Sequence, residues 1–126
     1  MKLEFLEKGS PDCPLIRLYA FDESEAGRLQ EILCSICSGA VATVALHSEP
    51  GIEPIGGCRL TLRLGRQDLG IIRRGPTAFD CVFTVDMWLQ VAGLAEPICE
   101  RAKPGYYQWL TDQGYASLFL SPDGCW

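Results

Sequence analysis

The sequence predicts an α+β fold: a mostly antiparallel, twisted sheet of about six to eight strands, with two helices packed on one face. Three observations favour this fold. Several short segments alternate apolar and polar residues, as strands do. One longer segment has the helical spacing of apolar residues and capping residues at both ends. Turns rich in glycine and proline join the segments, and a length of 126 residues fits a single domain spanning 1–126.

The first two predicted strands lie before this helical segment. In residues 1–7, Leu3 and Phe5 alternate with Lys2 and Glu4, which predicts the first strand. The turn residues Gly-Ser-Pro-Asp follow at 9–12. The second strand is predicted from a run of apolar residues: Leu15, Ile16, Leu18, Tyr19 and Phe21.

The first helix is predicted over residues 23–38. Asp22 can act as its N-cap, and Glu25, three residues later, completes a capping box in which each side chain accepts a backbone N–H of the first turn. Gly39 stands where a left-handed C-terminal cap belongs. Four apolar residues at helical spacing form one stripe: Leu29, Ile32, Leu33 and Ile36.

The middle of the chain predicts four further strands. Residues 41–46 are apolar and β-branched and predict a strand, whereas the prolines and glycines of 48–57 predict an irregular loop. Residues 58–64 alternate regularly, which predicts one buried and one polar face. Residues 69–73 and 79–83 are expected to continue as an antiparallel meander, because parallel neighbours need a long crossover. The predicted inward residues are Cys58, Leu60, Leu62, Leu64, Phe79, Cys81 and Phe83.

A second helix and a closing hairpin complete the prediction. The helix is expected over residues 86–95, with Met87, Val91 and Leu94 on its apolar stripe and Pro97 ending it. Residues 106–110 and 115–120 flank the turn Thr-Asp-Gln-Gly and predict a hairpin. We detect no internal repeat in the sequence.

Composition argues against two classes of partner. The net charge is −5 and the pI is near 4.8, so the chain lacks the basic surface that binds nucleic acid or anionic membranes. No apolar run approaches the ~20 residues of a membrane span, and residues 1–5 do not resemble a signal peptide. We therefore expect a cytoplasmic protein with no nucleic-acid and no membrane partner.

The cysteines predict neither a metal site nor a disulfide framework. There are seven cysteines and one histidine, and the count is odd and irregularly spaced. Only Cys34 and Cys37 form a close pair, with the spacing of a dithiol redox site. They lie in the last turn of the first predicted helix, where the helix dipole opposes a thiolate. We expect free cysteines that act as small apolar residues, and no cofactor.

Four arginines predict a candidate anion site. Arg59 and Arg63 share the polar face of one strand, and Arg73 and Arg74 lie at the end of the next. Guanidinium groups match the geometry of carboxylates and phosphates. The alternatives are a charged patch that faces a protein and a solvated face whose charges are balanced by Asp80 and Glu100.

His47 and the late aromatic residues are the remaining candidates. His47 opens the irregular loop, where it could serve a cysteine nucleophile, although no motif flanks any cysteine. Tyr107 and Trp109 share one face of the closing hairpin and predict either buried core or an aromatic interface. Trp126 follows a turn and is expected to pack in a groove of its own domain or of a neighbouring subunit.

Two functional hypotheses follow. The favoured one is a non-catalytic binding or protein-interaction module that acts through the exposed sheet face or the loop 48–57. Its candidate binding residues are Arg59, Arg63, Arg73, His47 and Trp109. The alternative is a small enzyme or anion-ligand binder that uses His47 with a cysteine, or the Arg59/Arg63 strand face. The expected partner is an unidentified protein or a small anionic ligand, and the expected state is a monomer or a homodimer.

Overall fold

Nine strands and two α-helices make up the fold, which the computed structural model describes over all residues 1–126. The N-terminal elements are β1 (Lys2–Leu6), β2 (Leu15–Tyr19), α1 (Glu23–Cys37), β3 (Thr43–Ala45) and the two-residue β4 (Glu53–Pro54). The others are β5 (Arg59–Leu64), β6 (Gly70–Arg73), β7 (Ala78–Phe83), α2 (Val85–Glu100), β8 (Gln108–Thr111) and β9 (Ser117–Ser121). The predicted α+β class with two helices is confirmed.

Helix α1 has the bounds and caps that the sequence predicts. The Asp22 side chain accepts the Glu25 backbone N–H at 2.9 Å, and the Glu25 side chain accepts the Asp22 backbone N–H at 3.3 Å. Gly39 ends the helix with a φ of 76°, in the left-handed region that glycine tolerates. The whole predicted apolar stripe is buried: Leu29, Ile32, Leu33 and Ile36.

The strands form two mixed sheets instead of one mostly antiparallel sheet. Sheet A has five strands in the order β4-β1-β2-β9-β8, and sheet B has four in the order β3-β5-β7-β6. The prediction of one mostly antiparallel sheet of six to eight strands is therefore wrong. In each sheet the central pair is parallel, β2 with β9 and β5 with β7, and antiparallel strands flank it.

The predicted meander of β5, β6 and β7 is wrong because the connection between β5 and β6 passes the end of β7. The backbone N–H groups of Gly65 and Leu69 donate to the carbonyls of Phe83 and Val82, each at 2.9 Å. Strand β6 is thereby placed on the far side of β7, and β5 pairs directly with β7. Most of the predicted inner face is confirmed, and Leu64, the last residue of β5, is only partly buried. The fully buried members are Cys58, Leu60, Leu62, Phe79, Cys81 and Phe83.

Helix α2 continues through Pro97, where the sequence predicted its end. The residue four positions before Pro97, whose carbonyl would clash with the proline ring, is Gly93. Both residues are exposed, so that carbonyl can tilt outward and bind water. The predicted stripe is also shifted, since Leu94 is exposed. The buried residues are Trp88, Val91, Ala92, Ala95, Ile98 and Cys99.

A single hydrophobic core joins the inner faces of both sheets to the two helices. It comprises 28 buried residues, and the helices pack against each other within it. Neither helix is long and apolar enough to span a bilayer.

The topology contains an internal structural repeat that the sequence did not reveal. The first repeat is β1-β2-α1-β3-β5 (with β4 between the last two strands), and the second is β6-β7-α2-β8-β9. Each consists of an antiparallel pair, a helix and a second antiparallel pair. Each sheet combines the first pair of one repeat with the second pair of the other. The two repeats share little sequence. One similarity is that the pairs Ile36-Cys37 and Ile98-Cys99 lie at the same distance after the helix N-caps Asp22 and Thr84.

Replacing Pro97 with alanine should stabilise the protein by about 1–2 kcal/mol, because the backbone gains a donor for Gly93 and the residue gains helix propensity. Urea unfolding followed by circular dichroism measures the change. Pro104→Ala, at an exposed position outside the helices, is the matched control and should give no gain. A loss of stability in Pro97→Ala would contradict this account of α2.

Candidate anion-binding site

The outer face of sheet B forms a shallow, open concavity of about 920 Å³. Strands β3, β5 and β7 provide its floor, because the side chains that alternate away from the core point into it. The turn after β3 and Arg74, just beyond β6, form its rim. The lining residues are Thr43, Ala45, His47, Ser48, Arg59, Thr61, Arg63, Arg74, Ala78, Phe79 and Asp80.

Asp80 organises two of the arginines in this concavity. It lies in the central strand β7, only 7% exposed, although its side chain is on the outer face opposite Thr61. Its Oδ2 atom lies 3.0 Å from Nε of Arg63 and 2.9 Å from Nε of Arg74. Both guanidinium groups are thus held through Nε, and their terminal amino groups have no acceptor in the protein. These amino groups can donate to a ligand.

Arg59 lies on the same face without a carboxylate partner. No acidic group approaches its guanidinium group within 4.0 Å, and the residue is exposed. The three guanidinium groups of the concavity outnumber its single carboxylate, in a chain whose net charge is −5. This face therefore carries the opposite sign of charge to the molecule as a whole.

His47 reaches the rim of the concavity from the turn that follows β3. Its Nδ1 atom accepts the backbone N–H of Leu60 at 3.1 Å, which anchors the turn to β5. In the neutral ring this leaves the proton on Nε2, so the free ring nitrogen is a donor. No cysteine lines the concavity. The structure thus brings together the predicted residues Arg59, Arg63 and His47 and gives this histidine no thiol partner there.

Arg73 does not join the other predicted site residues. Its guanidinium group donates to the carbonyls of Gly75 and Pro76 at 3.0 and 2.9 Å and to the hydroxyl of Tyr115. It also lies over the Tyr115 ring, 4.9 Å from the centroid. Arg73 therefore ties β6 to the loop between β8 and β9, at the junction of the two sheets.

Trp109 lies on the outer face of the other sheet. Its ring is 4.9 Å from that of Phe119 on β9, and the Trp126 ring also packs against Phe119, at 5.2 Å. Phe119 is fully buried here, yet it lies outside the main core. Trp126 thus packs against its own domain, although 40% of its surface stays exposed and the predicted groove is not seen.

Residues 122–126 fold back over this outer face of sheet A. The Gly124 carbonyl accepts a hydrogen bond from Nη1 of Arg17 at 2.9 Å, and Gly124 lies so close to the Tyr19 ring that an added Cβ would be 3.0 Å from it. The carboxylate of Asp123 shapes the turn by accepting the backbone N–H groups of Cys125 and Gly105. These hydrogen bonds lower the pKa of Asp123 below its usual value.

Asp80 and Arg74 have larger roles in the concavity than the sequence indicated, although Arg74 was one of the four arginines of the predicted anion site. Asp80 was considered only as a balancing charge, a role that the structure extends to holding Arg63 and Arg74 together. Glu100, the other balancing charge considered, forms no ion pair with these arginines. Arg74 follows the last residue of β6, where the alternation of side chains along a strand no longer predicts to which face a side chain points. Nothing in the sequence therefore favoured Arg74 over Arg73 as a residue of the site.

Three of the seven cysteines have the environments of structural thiols. Cys58, Cys81 and Cys99 are buried, and burial raises the pKa of all three, to about 11 for Cys58 and Cys99. At the end of α1, burial and the neighbouring Cys34 raise the pKa of Cys37. This shift is opposite in direction to the one that activates a dithiol redox site.

Comparison of the chain with protein-family models, with curated proteins and with solved structures gave no match. The function is therefore inferred from the geometry of the site.

Asp80→Ala should lower the free energy of unfolding by about 1–2 kcal/mol, because it removes the largely buried carboxylate that binds the guanidinium groups of Arg63 and Arg74. Urea unfolding monitored by tryptophan fluorescence gives the change. Asp112→Ala, which removes an exposed carboxylate that has no ion pair, is the control and should stay close to wild type. Equal effects of the two substitutions would show that Asp80 does not hold the arginines.

Brief alkylation at pH 8 should modify Cys34 and Cys125 first, because these two thiols are exposed. Cys58, Cys81 and Cys99 should react only after denaturation, since they are buried and protonated at this pH. Peptide mass spectrometry after a timed pulse locates the label. Rapid labelling of Cys58 in the folded protein would contradict the register of β5.

Proposed function

We propose that this protein is a non-catalytic binding module that recognises an anionic group of its partner on the outer face of sheet B. The observation that carries the proposal is the pairing of Arg63 and Arg74 with the same Asp80 oxygen. Because Asp80 lies in a central strand, it fixes both guanidinium groups on a rigid framework. Binding then costs less side-chain entropy than it would with two freely rotating arginines.

The exposed donors of this face suit carboxylates and phosphates. Arg63 and Arg74 have 45% and 57% of their side-chain surface exposed, and their terminal amino groups are free. Arg59 adds a third guanidinium group on the same strand as Arg63. Planar guanidinium groups bind such oxyanions through paired hydrogen bonds. The local excess of positive charge also attracts an anionic partner to this face of an otherwise acidic molecule.

The chemistry of the concavity favours binding over catalysis. Its only ionisable groups are the arginines, Asp80 and His47. Asp80 is engaged by two guanidinium groups, and His47 has Nδ1 occupied by a backbone N–H. No group in the concavity forms a nucleophile–base pair of the kind that covalent catalysis needs.

Titration with inorganic tripolyphosphate, followed by ¹H–¹⁵N NMR, tests this proposal. We expect saturable shifts of the backbone amides of 43–47, 59–63 and 78–80, which weaken as salt is raised. The double variant Arg59→Ala/Arg63→Ala should lower the affinity by at least about tenfold, because it removes two charged donors.

Arg66→Ala is the matched control for charge, since Arg66 is exposed, has no ion pair and lies outside the concavity. It should bind as wild type does. Shifts that are centred elsewhere, or that survive in the Arg59/Arg63 variant, would overturn the proposal. The amide spectrum of each variant shows at the same time whether it is folded.

A further inference from the structure

The structural repeat makes the outer faces of the two sheets equivalent positions. The central parallel pair is β2–β9 in sheet A and β7–β5 in sheet B, so β2 corresponds to β7 and β9 to β5. At the centre of the outer faces, Arg17 lies opposite Phe119 in sheet A, and Asp80 lies opposite Thr61 in sheet B. The middle of each face thus holds a charged side chain, the cation Arg17 in sheet A and, in sheet B, the anion Asp80 with the two guanidinium groups that it binds.

In sheet A this face is covered by a short segment of the chain itself. Residues 122–126 follow β9 directly and cross back over the sheet. Arg17 donates to the Gly124 carbonyl at 2.9 Å and binds Glu4 through the same guanidinium group. The segment is therefore recognised through its backbone and through the Trp126 ring on Phe119.

In sheet B the chain cannot supply the equivalent cover. Strand β5 corresponds to β9, but residues 65–69 after β5 turn past the end of β7 and lead into β6. The outer face of sheet B is left as the open concavity, in which the amino groups of Arg63 and Arg74 have no acceptor. One of two equivalent faces therefore holds a peptide segment, and the other is free.

We infer that the free face of sheet B binds an acidic segment of a partner protein in an extended conformation, at the position where the turn of residues 122–126 lies on sheet A. This inference rests on the proposed function and specifies its ligand. Guanidinium amino groups can bind backbone carbonyls, as Arg17 does, as well as carboxylates. The equivalent of Phe119 here is Thr61, which offers no aromatic surface, so acidic side chains replace Trp126 as anchors.

The spacing of the anchors follows from the backbone of such a segment. In an extended chain, alternate side chains point to the same side. Acidic residues at alternate positions of the segment can therefore all face the arginines, whereas adjacent acidic residues cannot.

Selection from a displayed library of random nonapeptides tests this inference with the intact chain as the target. We expect wild type to enrich peptides with acidic residues at alternate positions. A synthetic copy of an enriched peptide should lose at least about tenfold in affinity for Arg59→Ala/Arg63→Ala and bind Arg66→Ala unchanged. Moving one acidic residue of that peptide by a single position should also weaken binding.

The outcomes separate this inference from the proposed function. If tripolyphosphate binds at the arginines but no peptide is enriched over the Arg59/Arg63 variant, the anion site stands and the peptide ligand is wrong. Enriched peptides that bind this variant as well as wild type also overturn the inference. If neither tripolyphosphate nor any peptide binds at sheet B, both proposals fail.

Discussion

The fold depends on two of its three parallel strand pairings, β2 with β9 and β5 with β7; the third joins β1 to the short β4. Each of the first two joins strands from different structural repeats, so each sheet is complete only when both repeats contribute. Because α1 and α2 each connect two strand pairs that belong to different sheets, they meet in the space between the sheets and share one core. Neither repeat can bury its apolar surface alone, and the 126 residues form one structural unit.

The same pairing creates the candidate site. Because β5 and β6 lie on either side of β7, Arg63 and Arg74 reach the carboxylate of Asp80 from opposite sides. In a simple β5-β6-β7 meander, Asp80 would be separated from Arg63 by a whole strand, and the cluster would not form. The repeat also explains why the outer face of sheet A is covered and that of sheet B is open. Strand β9 is followed by residues 122–126, which return over sheet A, whereas its counterpart β5 is followed by the second repeat.

Local signals in the sequence were sufficient for the features that depend on few neighbours. The capping box and stripe of α1 and the alternation of Arg59 and Arg63 with Leu60 and Leu62 predicted what the structure contains. Strand order could not be predicted, because short connections at 65–69 permit β6 to lie on either side of β7. The end of α2 was misplaced because the exposed carbonyl of Gly93 can tilt away from the Pro97 ring and bind water, so that the helix continues past the proline. In the site, Arg59 and Arg63 were predictable from the alternation of side chains along a strand, and His47 from its place at the start of a loop. Choosing Arg74 over Arg73 required knowing where β6 ends.

The parallel pairing of β2 with β9 also affects the order in which the chain can fold during synthesis. Leu15 and its partner Ser117 are separated by about 100 residues, so β2 gains its second neighbour only after nearly the whole domain has been made. Until then β2 has an unpaired edge of backbone donors and acceptors beside an apolar inner face. We therefore expect the nascent chain to expose this edge and the apolar face beside it until the second repeat has been made.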